Sequence, residues 1–229
     1  MGGTLTEAEW LAGTDPSRMI QHLCDRGASR RKAGKRKFTL LTCACCRVAW
    51  DLMPADKARL WVEAAEAEAD GLPVAAPPPP VTIDDLIFRP GDIEQRANYA
   101  ASNARARRAV HLITSTVAAV HEVVYLDARR TGSSTEQRRW VNVAGLLHEI
   151  FGNPFRPVKV AKTWLTANDG AALKLARLIS ADGQWGMLPV LADALEDAGC
   201  ADADVLGHCR RPDGHVRGCW AIDLLLGRE

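Results

Sequence analysis

The feature that most constrains this fold is the spacing of apolar and small residues in DIEQRANYAASNARARRAVHLITSTVAAVHEVVYL, Asp92 to Leu126. Ile93, Ala97, Ala100, Ala104, Val110, Ile113, Val117, Val120 and Val124 recur at helical spacing. That period gathers them on one side of a helix, whereas a strand gathers every second residue. The stretch predicts one long helix, or two joined near Asn103, and its alanines suit close helix–helix packing.

The rest of the chain repeats the message. Aromatic residues make up 6% of the sequence, and alternating β-branched runs are hard to find. Alanine, leucine, arginine and glutamate dominate, and all favour helix. The expected fold is all-α, an irregular multi-helix bundle. Its helix starts are written in capping chemistry. In TEAEWL, Thr6 and Glu9 have the spacing of a capping box. In TDPSRMIQHLC, Asp15 can cap and Pro16 suits the first turn. KFTLLTCACCRVAWDLM predicts an apolar helix ending near Pro54. ADKARLWVEAAEAEADG predicts an amphipathic one closed by Gly71, with Leu60, Val62, Ala65 and Ala69 pointing inward. Further helices are expected over STEQRRWVNVAGLLHEIFG (capped at Ser134 or Thr135), DGAALKLARLISAD, MLPVLADALEDAGC and CWAIDLLLG, with FRPVKVAKTWL irregular.

Between the halves lies LPVAAPPPPVTIDD. Four consecutive prolines exclude helix and favour a stiff extended segment. The expected division is an N-terminal helical lobe over 1–72, a proline-rich linker over 73–90 and a C-terminal helical lobe over 91–229. The prolines lack the flanking arginine of an SH3-type ligand, so a spacer laid along the surface is the plainer reading.

The chain carries 29 basic and 28 acidic side chains, a formal charge of +1. No whole-chain field favours phosphate. Charge is locally uneven: SRRKAGKRK places Arg30, Arg31, Lys32, Lys35, Arg36 and Lys37 within eight positions, and such a block can bind a nucleic-acid backbone in a salt-sensitive way. NARARRAV and DARRTGSSTEQRR supply smaller basic faces. The plainer reading is solvated helix ends. Met1 to Thr4 is not followed by a basic start and an apolar run, and no apolar run approaches the roughly 20 residues that cross a bilayer. We expect a cytoplasmic protein, not a membrane one. With seven cysteines at least one thiol has no internal partner, and in a reducing compartment all are expected as thiols or metal ligands.

Two cysteine clusters invite chemistry. AGCADADVLGHCRRPDGHVRGCW contains Cys200, Cys209, His215 and Cys219, with His208 as an alternative ligand. Cysteine and histidine suit tetrahedral zinc, and Pro212 and Gly214 can turn the chain so that His215 and Cys219 fold back on Cys209. No C-x2-C knuckle accompanies them. The alternative is two short helices, with the cysteines as small buried residues and the histidines at helix ends. In CACCR, Cys43 and Cys46 share one helix face and continue toward Trp50, which reads as core. HEIFG and HEVVY each lack the second histidine of a metallohydrolase motif. Asp193 and Glu196 read as the wet face of a helix. The seven tryptophans, Trp10, Trp50, Trp61, Trp140, Trp164, Trp185 and Trp220, are spread one per helix or joint, as wedges between helices rather than a stacking platform.

Three stretches carry a family resemblance: EWLAGTDPSRMIQHL, CACCRVAWDLMPADKARLWVEAAEAEADG, and the C-terminal IFGNPFRP, LPVLADALEDAGC and HCRRPDGHVRGCW. Together they resemble a helical protein family expanded in planctomycete bacteria, whose members occur as stand-alone paralogues or beside repeat-companion domains. The resemblance implies that both ends of the chain are one inherited unit, and implies no particular activity. The basic and proline runs are not part of it. On these grounds the first expectation is a non-enzymatic interaction or scaffold module that binds another protein or a larger assembly. The alternatives are a nucleic-acid-binding accessory using Arg30 to Lys37, and a zinc-binding module or metal-dependent enzyme built on the C-terminal cysteines and histidines.

Overall fold

Local chemistry starts the helices where the sequence implies. Thr6 and Glu9 form a reciprocal capping box at α1 (Glu7–Ala12). Asp15 accepts from the Arg18 amide at α2 (Pro16–Asp25), whose first turn carries Pro16. These elements come from a computed structural model that describes residues 4–54, 56–74, 78–82, 85, 92–104, 109–132 and 142–229. It is 71% helical, with no strand among the described residues. The other helices are α3 (Lys32–Arg47), α4 (Ala58–Ala69), α5 (Ile93–Ala104), α6 (Ala109–Thr131), α7 (Val143–Phe151), α8 (Lys162–Asp182), α9 (Leu188–Asp197), α10 (Ala203–Cys209) and α11 (Trp220–Leu226). The fold is the all-α multi-helix type expected. The long periodic stretch is two helices, α5 and α6; residues 105–108 between them lie outside the described residues.

The chain divides into two units, Asp15–Leu146 and Met1–Thr14 with Leu147–Glu229. This differs from a division at the proline run. Helices on both sides of that run share one core, in which Cys43, Cys46, Trp61 and Val62 meet Ala97, Ala101, Val120 and Val123. The prolines fold back onto the same unit. The Trp61 indole N–H donates to the Pro79 carbonyl at 2.6 Å. Asp85 accepts from the Thr82 amide and hydroxyl at 2.7 and 2.6 Å and pairs with Lys57 at 2.5 Å. Residues 78–82 are thus a strap tied to α4; Pro77 lies outside the described residues.

The strap accounts for Trp61 on the buried face of α4. Val62 and Ala65 point inward as expected, but Leu60 and Ala69 are only partly buried, and Trp61 and Glu66 are buried instead. Glu66 tolerates burial because Arg47 grips it with two bonds, 3.0 and 2.6 Å, the bidentate geometry that offsets desolvation best.

In the second unit, α1 is stapled to the end of α7. Trp10 is fully buried, its indole N–H donates to the Gly152 carbonyl at 3.1 Å, and the His148 Nε2–H donates to the Trp10 carbonyl at 2.8 Å. Trp164, Ile179, Leu188, Leu191, Val205 and Ile222 form the core of this unit. α8 starts earlier than expected and takes in Trp164. It breaks at Ala167–Gly170, where Asn168 and Asp169 adopt φ of 50° and 57°, a left-handed conformation that asparagine and aspartate tolerate better than most residues. The expected helix start at Ser134 or Thr135, and Trp140, lie outside the described residues; α7 begins at Val143, with Asn142 accepting from the Gly145 amide.

Candidate metal centre

Glu149 is the unexpected member of the site. α7 reads VAGLLHEIF, and Glu149 sits beside Ile150, two residues from Leu147, both fully buried. Glu149 lies about 100° round the helix from Ile150 and on the far side from Leu147, so this core face alone does not bury it, yet its carboxylate is 1% exposed. α10 and α11 meet it there. Asp202 caps α10 by accepting from the Asp204 and Val205 amides at 3.0 Å, and His208 in the last turn is buried. The chain then turns through Pro212 and Gly214, presents His215, and enters α11 with Cys219 as its capping residue.

One donor atom from each of Glu149, His208, His215 and Cys219 lies within 4.8 Å of all the others. His208 Nε2 is 3.1 Å from Cys219 Sγ, and His215 Nδ1 is 3.1 Å from Glu149 Oε1. His208 Nε2 is 3.6 Å from Glu149 Oε2, which also accepts from the Arg211 guanidinium. The side chains of Glu149, His215 and His208 are 1%, 2% and 8% exposed, and Cys219 is fully buried. Tetrahedral zinc at about 2.0–2.3 Å from its ligands sets them about 3.4–3.6 Å apart. The spacings of 3.1, 3.1 and 3.6 Å lie within about 0.5 Å of that, and all four donors lie within 4.8 Å of one another, so this buried group could hold a metal ion.

Hydrogen bonds settle how ready each ligand is. The His215 Nε2–H donates to the Arg211 carbonyl at 3.2 Å while Nδ1 faces Glu149 Oε1 at 3.1 Å, so Nδ1 must give up its proton before it can bind an ion. A ligating histidine that donates its other N–H to a backbone carbonyl is the usual outer-shell arrangement. Glu149 keeps Arg211 on one oxygen while offering the other. His208 differs: its Nδ1 accepts the Trp220 indole N–H at 2.9 Å, so the ring proton resides on Nε2, facing the cluster.

Burial drives the pKa values here. It pushes His208 down to about 4; Glu149 opposes this, and Arg211 and His215 reinforce it. The ring is therefore neutral near pH 7. Burial pushes the Cys219 thiol well above its usual range, with Glu149 adding to it and the Ile222 and Ala221 amides opposing. A nucleophilic cysteine needs the opposite, an accessible thiol with a lowered pKa and a histidine oriented through its own N–H. The Cys219–His208 pair has the contact distance of such a dyad and none of its activation. A bound cation would instead deprotonate the thiol on coordination.

The structure brings together His215, Cys219 and His208 from the expected ligands. Cys200 and Cys209 lie in the core of the same unit but outside this group of donors, and burial raises the Cys209 thiol to about 12. They pack as small apolar residues while Glu149 takes the fourth place. In the first unit Cys43, Cys45 and Cys46 are all buried in the core, and burial pushes Cys45 up to about 12. Asp193 and Glu196 are exposed and lie beside Arg210, on the wet face of α9.

The basic run is not one surface. Arg30, Arg31, Lys32 and Lys35 are exposed, but Arg36 pairs with buried Asp70 at 2.6 Å and Lys37 is 4% exposed. Gly34 explains the tight start of α3: a Cβ there would stand 2.0 Å from the Ala28 carbonyl oxygen, so only glycine lets the preceding turn lie against the helix. Most of the other two basic segments lies outside the described residues, 105–108 and 133–141. Among the described residues no helix is long and apolar enough to cross a membrane.

Comparison with protein-family models, curated proteins and solved structures finds no match to this chain.

Proposed function

We propose that this protein is a non-enzymatic helical interaction module whose C-terminal unit is fastened by a structural zinc ion at Glu149, His208, His215 and Cys219. The observation that carries the reading is the convergence of those four buried donors within 4.8 Å. Mixed nitrogen, oxygen and sulphur donors suit a borderline-soft ion such as zinc, and four protein ligands make a closed, structural site. Such a fastener has work to do. α10 and α11 have seven residues each, far below the roughly 12–15 at which an isolated helix becomes even marginal. A cross-link to Glu149 closes a loop of about 70 residues around them. Catalysis is disfavoured because the reactive atoms are enclosed, so the module acts through its surfaces, on a protein partner or assembly. Seven unpaired cysteines, six of them buried, support a reducing compartment, the cytoplasm.

Metal analysis of protein purified without chelator tests the proposal. About one equivalent of zinc, and a lower melting temperature after chelation, is the expected result. Less than about a tenth of an equivalent, with no melting shift on adding zinc, rejects it.

A further inference from the structure

The hydrogen bond from Trp220 to His208 sits uneasily with metal binding, and the conflict is informative. We infer that the cluster has two mutually exclusive hydrogen-bond states, and that Trp220 holds the metal-free one by fixing the His208 tautomer. This rests on the metal reading above and adds to it how loading is regulated.

In the metal-free state the Trp220 Nε1–H donates to His208 Nδ1 at 2.9 Å, so His208 Nε2 carries the proton and donates it toward Cys219 Sγ at 3.1 Å. Nε2 is the ring nitrogen that faces Glu149 and Cys219. To coordinate an ion it must lose that proton, and a neutral ring then carries its proton on Nδ1. Two N–H groups would then oppose each other across 2.9 Å. Trp220 must release the ring before His208 becomes the fourth ligand. At His208 the protons balance, because Nε2 gives one to solvent, Nδ1 takes one up and the ring stays neutral; the Cys219 thiol and His215 Nδ1 each release one more to solvent on coordination.

Trp220 is placed to register the change. Its indole lies on Gly152, where a Cβ would approach the ring carbons to 3.1 Å, and Gly152 has φ of 64°. The same residue's carbonyl receives the Trp10 indole. Metal loading therefore acts on the corner where α1, α7 and α11 are held together. The other three donors need no change of tautomer, only the loss of the Cys219 thiol proton and of the proton on His215 Nδ1. His215 already donates its far N–H to a carbonyl, and Glu149 Oε2 already holds Arg211.

Two measurements on the full chain test this. Zinc affinity is measured by competition with a chromophoric chelator, for wild type and Trp220→Phe. Losing one hydrogen bond that favours the metal-free state is expected to tighten binding about fivefold. Unchanged or weaker binding by folded Trp220→Phe overturns the inference. Nitrogen-15 histidine spectra of wild type decide independently, should that variant not fold. His208 is expected to show an Nε2–H ring without metal and an Nδ1–H ring with zinc. An Nε2–H ring in the zinc-loaded protein overturns the inference while leaving the metal site standing, with three protein ligands. Failure of wild type to bind zinc at all rejects the metal reading itself.

Discussion

Replacing Glu149 by glutamine separates a buried electrostatic hub from an ordinary ion pair. Glu149 is 1% exposed and accepts from Arg211 and from His215 Nδ1 at 3.1 Å. Glutamine keeps the shape and removes the charge. A hydrogen bond to a charged group contributes about 1.5–3 kcal/mol and a neutral one about 0.5–1.5. Losing charge assistance on two bonds should therefore cost about 2–3 kcal/mol in metal-free protein. Arg211 is 44% exposed and can turn to water, which trims its share. His215, at 2%, cannot. The internal control is Glu196→Gln. Glu196 pairs with Arg210, the neighbour of Arg211, but both side chains are nearly half exposed, so the change should cost less than about 1 kcal/mol. Urea denaturation in excess chelator, followed by hydrogen exchange at amides of α7 and α11, measures both in the same unit. If the two variants fall within about 0.5 kcal/mol of each other, the claim that Glu149 organises this core is wrong.

Acid should weaken the metal-free protein through His208, because a base whose folded pKa lies below its unfolded value is unaffected above 6.5 and destabilises the fold as pH falls toward about 4. Each pH unit in that window costs up to about 1.4 kcal/mol, roughly 3 kcal/mol in all, and urea midpoints for His208→Asn should show a correspondingly flatter slope. Trp10→Ala should destabilise the second unit by about 3–5 kcal/mol, because a fully buried indole and its bond to Gly152 are lost together; hydrogen exchange in α7 reads the effect. Arg36→Ala should cost about 3 kcal/mol by removing the guanidinium that pairs with Asp70, whose side chain is 2% exposed, whereas Lys32→Ala at an exposed site should change stability by less than about 0.5 kcal/mol.

Those contrasts follow the line between what the sequence makes legible and what it hides. Caps and periodicity are local, so the capping box at Thr6, the Asp15 cap, α10 and α11 can all be read from a few adjacent residues. Partners distant in sequence cannot. The proline run looks like a linker because its stiffness is visible, while the Trp61–Pro79 and Lys57–Asp85 ties that bind it to α4 are not. The metal-site candidates divide the same way. His208, His215 and Cys219 stand out by their crowding near the C-terminus, but so do Cys200 and Cys209, and spacing alone does not say which face inward together. Glu149 lies 59 residues or more from the other three donors. Its signal is a carboxylate within an apolar helix, a costly placement that implies buried partners. The basic run shows the converse error, since charge density in sequence does not reveal that Arg36 and Lys37 turn inward.

X-ray absorption at the zinc edge of the loaded protein reads whether Glu149, His208, His215 and Cys219 together hold the proposed ion. Four-coordinate zinc is expected, with one sulphur at about 2.3 Å and three nitrogen or oxygen neighbours at about 2.0–2.1 Å, and with the sulphur shell lost in Cys219→Ser. Six-coordinate zinc surrounded only by oxygen and nitrogen, or a shell of two or three sulphurs drawn from Cys200 and Cys209, would contradict it.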